Sequence, residues 1–133
     1  MPTIVTRCML HAIAPLYDGW DDTLIWSCLQ GHMGQAWADD VHAPSAAQVI
    51  TADFCFFAGD ASGPGARGLV AHIPSGYPKN EMLMASKEDA WHGLIEDIYK
   101  GRCNKFLRYA FKKEPGVFDR AKLLGFVAAL PPG

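Results

Sequence analysis

Three carboxylates stand where strands should begin and end. Asp39 and Asp40 follow a stretch that holds Trp37, and Asp53 precedes the apolar run that starts at Phe54. Acids gathered at strand ends suit a cationic ligand such as a polyamine or an amino sugar. Two of them in unlike surroundings can also share general acid and base work. The plainer role of such residues, and the commoner one, is to cap helices and solvate turns. Arg108 shares a strand face with the small Ala110. It is expected to reach a carboxylate, Glu96 or Asp53, before any ligand. Asp39, Asp40, Asp53 and Arg108 are therefore the candidate ligand-binding residues, and no catalytic residue stands out.

Thiols and imidazoles approach each other along the chain in two places, Cys28 with His32 and Cys8 with His11. A Cys–His nucleophile needs hydrogen-bond reach and an oxyanion site. Gly31 should break the helix between Cys28 and His32, so both pairs are expected to be structural. His42, His72 and His92 show no ligand spacing, and no metal site is expected. Two glycine-bearing runs could offer amides to a phosphate. Residues 30–36 run from helix to strand, the wrong order for a helix dipole. Residues 63–68 lie between strand and helix with Arg67 as a counter-charge. Pro64 there supplies no N–H, and the spacing is not that of a P-loop.

The elements that must position these groups are punctuated by Gly and Pro. Asp21 or Asp22 can cap a helix to about Gln30, with Leu24, Ile25, Cys28 and Leu29 as its inner stripe and Gly31 as its stop. Residues 33–38 read as a strand with one small face, Gly34, Ala36 and Ala38. Pro44 suits a first helical turn, which predicts a helix over 45–50. Residues 54–58 are apolar on both faces, as in a central strand. A Gly-rich turn leads to a short helix near 68–73, and 82–85 is another strand. Ser86, with Asp89 three positions on, should cap a helix whose stripe is Trp91, Leu94, Ile95, Ile98 and Tyr99. Residues 106–112 alternate as a strand. Phe118 and Leu123 can staple a last helix capped by Asp119, which Pro131 and Pro132 stop.

Strands alternating with helices predict an α+β (mixed α/β) class: one mixed sheet of about four strands with helices on its faces. A chain of 133 residues, half of them hydrophobic, is one globular domain over residues 1–133. The net charge of −2 excludes bulk attraction to nucleic acid or to an anionic membrane. No stretch is long and apolar enough to span a bilayer, and no signal peptide is visible. The four cysteines form no C-x-x-C pair, which excludes zinc ribbons and thioredoxin-like sites. A cytoplasmic protein is expected.

Several phrases are long and idiosyncratic: TLIWSCLQGHMG, DFCFFAGD, the spaced Trp91-x-x-Leu94-Ile95-Glu96, RYAFKKE and FD-x-x-x-L. Together they resemble the N-terminal half of a bacterial family in the GNAT superfamily of acyl-CoA-dependent N-acetyltransferases, over roughly residues 23–130. Members of that family are about twice this length, with the acetyl-CoA loop and transferase core downstream. Such enzymes hold the cofactor diphosphate on a loop of the form Arg/Gln-x-x-Gly-x-Gly/Ala between strand and helix. Residues 30–36 and 63–68 both depart from it.

The resemblance implies a half-length relative without its own acetyl-CoA site: a non-catalytic binding or regulatory module that needs no cofactor. It would pair with itself as a homodimer or with a transferase-type catalytic domain, through an apolar surface for which Trp20, Trp26 and Trp37 are candidates. The alternative is a small stand-alone N-acetyltransferase. It would use acetyl-CoA, bound at residues 63–68, and act on a cationic amine.

Overall fold

Five strands make one sheet in the order β1-β2-β3-β4-β5. They are β1 Thr3–Val5, β2 Gln35–Ala38, β3 Ala46–Thr51, β4 Phe54–Gly59 and β5 Leu83–Ala85. The first four are antiparallel neighbours, and β5 runs parallel to β4. The helices are α1 Leu10–Ile13, α2 Thr23–Leu29, α3 Ala66–Ala71, α4 Asp89–Ile98 and α5 Arg120–Ala128. This computed structural model describes residues 1–109, 111, 114 and 116–132. The class is the mixed α/β one expected, with five strands where about four were expected. Strand β1, which was not expected, is three residues long with only Val5 buried, too short to leave a pattern.

Strand alternation divides the core between two faces. Ala36, Ala38, Ala47, Val49, Phe56 and Ala58 point to one face, where Leu10, Ile13, Tyr17, Ile25 and Cys28 cover them. Trp37, Ala46, Ile50, Cys55 and Phe57 point to the other, under Leu69, Val70, Trp91 and Ile95. The small residues on the first face let the N-terminal helices approach closely. Tyr17 is fully buried there, and its hydroxyl donates to the Phe56 carbonyl at 3.0 Å.

The local signals explain most of the helices. Asp22 caps α2 by accepting from the Leu24 amide at 2.9 Å. Asp119 caps α5 by accepting from the Lys122 amide at 3.0 Å. Helix α4 starts later than expected, with Glu88 rather than Ser86 at its N-cap. Ser86 instead accepts from the Glu88 amide through its hydroxyl.

The helix expected over 45–50 is a strand. Every residue of β3 is buried, and Val49, Ile50 and Thr51 are β-branched. Ladders on both sides outweigh the helical preference of Ala46, Ala47 and Gln48. The strand expected over 106–112 is also not observed: residues 104–109 and 111 carry no ladder, and Ala110 and Lys112 lie outside the described residues.

The chain divides into two units, Met1–Cys103 and Asn104–Gly133. The first holds the sheet, α1 to α4 and both core clusters. The second holds α5, none of whose residues is buried.

Candidate functional site

One end of the sheet collects three carboxylates. Strand β2 ends at Ala38, β3 starts at Ala46 and β4 ends at Gly59, all on the same edge. Asp39 and Asp40 leave β2 there, and Asp60 leaves β4. The Asp39 amide donates to the Ala46 carbonyl, and the Asp60 amide to the Ser45 carbonyl at 2.8 Å. Gly59 and Gly65 make this closeness possible. A Cβ on Gly59, whose φ is +90°, would overlap the Ser45 carbonyl oxygen, and one on Gly65 would overlap the Asp39 side chain.

Each carboxylate is held by its own turn. Asp39 Oδ1 accepts from the amides of Asp40, Ser45 and Ala46 at 2.9, 3.0 and 3.1 Å. Its other oxygen accepts from the Ser45 hydroxyl. Partial burial pushes the Asp39 pKa up, but these hydrogen bonds together outweigh it and hold it below the ordinary carboxylate value. Asp40 accepts from the His42 and Ala43 amides, and Asp60 from the hydroxyl and amide of Ser62. Both are lowered by those bonds. All three are thus ionised fixed charges at neutral pH. They suit a cation and are poorly matched to general-base work, which favours a pKa near the working pH.

Asp53 does not join them. It sits in the β3–β4 turn, at the far end of a six-residue strand, roughly 20 Å away. Its place in the cluster is taken by Asp60, which sequence reasoning passed over. Arg108 is exposed and falls in the second unit. Asp39 and Asp40 are the two expected site residues that the fold brings together.

The thiols are not nucleophiles of a Cys–His pair. Burial pushes Cys28 up to about 11 and Cys55 up to about 12, far from the thiolate form at neutral pH. Cys8 is exposed and pairs with the Thr6 hydroxyl. Residues 30–36 follow the C-terminal end of α2, with the Gly31 amide turned back to the Cys28 carbonyl. Beside them an open groove of about 450 Å³ runs along β1, lined by Arg7, His32 and Gln35 among others. No cluster of His, Cys, Asp and Glu able to hold a metal occurs among the described residues.

Behind the carboxylates, β4 continues through Phe57, Ala58 and Gly59 past its pairing with β5. The Trp91 indole fills this side, donating to the Gly59 carbonyl at 2.9 Å. Residues 60–65 then lead from β4 into α3. A strand, a glycine-bearing loop and a helix beside a parallel strand pair are the setting in which main-chain amides commonly hold an anion.

A family model described as GNAT acetyltransferase matches residues 14–133. The chain belongs to the GNAT acetyltransferase family. Among solved structures, a GCN5-related N-acetyltransferase-like protein from Streptococcus suis 89/1591 is 32% identical, with a TM-score of 0.70 over 92% of this chain. The match covers 47% of that protein, so the chain spans about half the length of the solved relative. No curated protein matches significantly.

These matches correct four expectations that rested on one idea, a family half with the working part left out. The GNAT match takes in nearly the whole chain. The reading as a relative left without the catalytic part falls with it, and so does the non-catalytic module. The claim that the acetyl-CoA motif region is missing loses its ground, because the family match runs over residues 14–133. The expectation of no cofactor loses its ground on the same finding.

The residues of the β4–α3 loop give their own answer on fit. Its Ser62 amide and hydroxyl hold the Asp60 carboxylate, the Gly63 amide donates to the Asp60 carbonyl, and the Ala66 amide to the Gly63 carbonyl. Arg67 pairs with Asp97 at 2.7 Å. These donors already serve an internal carboxylate and internal carbonyls, and in this arrangement the loop does not fit a diphosphate.

The expected partner surface also needs correcting. Trp37 is 5% exposed in the core. Trp20 is half-buried edge-on to Phe56, and the Trp26 indole donates to the Trp20 carbonyl. The large exposed apolar side chains instead concentrate beyond residue 105.

Proposed function

We propose that the chain serves acyl-CoA-dependent N-acetylation of a cationic amine, with the acidic sheet edge as the acceptor side. The observation that carries this is the GNAT family match over residues 14–133. Asp39, Asp40 and Asp60 support it: they are ionised, near enough to feel one another's charge, and held in place by turn amides. The carboxylates would draw in a polyammonium or amino-sugar acceptor and orient it by charge. They would not take its proton, since their pKa values lie below the ordinary range. We place the activity in the cytoplasm. Two observations support this: no described helix is long and apolar enough to cross a membrane, and all four cysteines are free.

Calorimetric titration tests the reading, with acetyl-CoA and spermidine as separate ligands and mass spectrometry of spermidine as the activity readout. Micromolar acetyl-CoA binding and acetylated spermidine are expected. Asp40→Asn combined with Asp60→Asn should weaken spermidine binding severalfold, since each substitution removes a fixed negative charge from the acceptor side. Absence of heat with both ligands would sink the proposal.

A further inference from the structure

Strand β3 sends a polar side chain into the core on the second face. Gln48 is 0% exposed. Its ladder partners are Trp37 and Phe57, so it shares their face beneath Leu69 and Val70 of α3. Its carboxamide nitrogen donates to the His72 carbonyl at 2.9 Å and to the Cys55 sulfur at 3.2 Å. Its oxygen, Oε1, is buried and has no hydrogen-bond partner among the described residues, and the same holds for His72 Nε2. His72 ends α3, with its ring 5.3 Å from that of Trp37. The two unserved atoms thus share one compartment, where the middle of β3 meets the end of the helix.

Rearrangement of the carboxamide does not serve them. Turned over, it would set Oε1 against the His72 carbonyl, acceptor against acceptor. No direct hydrogen bond joins Oε1 to Nε2. One water serves both atoms whichever ring nitrogen carries the proton. It donates to Oε1, and it either accepts from Nε2–H or donates to a bare Nε2. Ordering one water costs less than leaving two buried polar groups unserved. A cation is the costlier occupant, because the Trp37, Phe57, Leu69 and Val70 side chains around the site supply no counter-charge.

We infer that the core on the second face holds a site for one water molecule, bridging Gln48 Oε1 and His72 Nε2. The water and the Gln48–His72 carbonyl bond together fasten the end of α3 to the middle of β3 at two points. The inference is independent of the acyl-transfer reading. Nuclear magnetic resonance of the isotopically labelled full chain tests it through the carbon-bound ring protons of His72, which do not exchange with solvent. His72→Gln assigns their signals by removing them. A cross-peak from these protons to water is expected, with opposite signs in the laboratory and rotating frames, the mark of a held water rather than of one passing at the surface. Gln48→Met occupies similar space without the acceptor. It should abolish that cross-peak and leave far-UV circular dichroism unchanged. Absence of the cross-peak in the unaltered chain overturns the inference. So does a cross-peak that survives Gln48→Met. Should Gln48→Met fail to fold, the spectrum of the unaltered chain still decides.

Discussion

At Asp39 one oxygen takes three amide protons and the other takes a hydroxyl. A carboxylate so served is a brace for the β2–β3 turn as much as a charge for a ligand. Its folded pKa lies below the unfolded value of about 4. The unfolded chain therefore takes the proton first as pH falls. The stability Asp39 contributes is whole above pH ~4 and is lost as pH drops through the folded value. Asp39→Asn should flatten the fall in urea midpoint on acidification below pH ~5. Asp40 and Asp60, lowered in the same direction, leave a residual slope. Tyr17 offers a second test. Its buried hydroxyl serves the Phe56 carbonyl, and Tyr17→Phe should cost about 1–2 kcal/mol in urea unfolding, the penalty of one unserved buried acceptor. Ala52 runs the other way. It holds a φ of +55° in the β3–β4 turn, a left-handed conformation that costs an L-residue about 1 kcal/mol. Ala52→Gly should raise the thermal midpoint. A lowered midpoint would mean that the strain relieved is smaller than the freedom added to the unfolded chain.

Among the elements, α4 covers the second face of the sheet together with α3. Its Trp91 is fully buried, stacked on Phe57 at 5.3 Å and tied to the end of β4. Trp91→Ala should cost about 3–5 kcal/mol by cavity formation, while Trp91→Phe should cost about 1–2 kcal/mol through the unserved Gly59 carbonyl. Equal losses in the two variants would show that the hydrogen bond, not the packing, matters there. Helices α2 and α4 were legible because their stripes recur at helical spacing and their stops are glycines. Strand β3 was not, because its preference is set by neighbours on either side rather than by its own residues. The site was legible to the same degree. Asp39 and Asp40 sit at a strand end that the sequence marks. That Asp60 joins them, and not Asp53, follows from the hairpin register, which brings residue 60 back beside residue 45 and sends residue 53 to the opposite end.

At the scale of the whole molecule, the two units differ in how far they satisfy their own apolar surface. Met1–Cys103 encloses both core clusters, so a fragment of residues 1–103 should fold alone. Its urea transition should be cooperative, with a midpoint close to that of the full chain at low concentration. A fragment without a cooperative transition would assign the second unit a share in that fold. Cys28 lies under the N-terminal helices and Cys55 under α3 and α4, on opposite sides of the sheet. Nature has thus placed a shielded sulfur in each compartment. The order in which a small mercurial reagent captures them would reveal which side of the sheet loosens first.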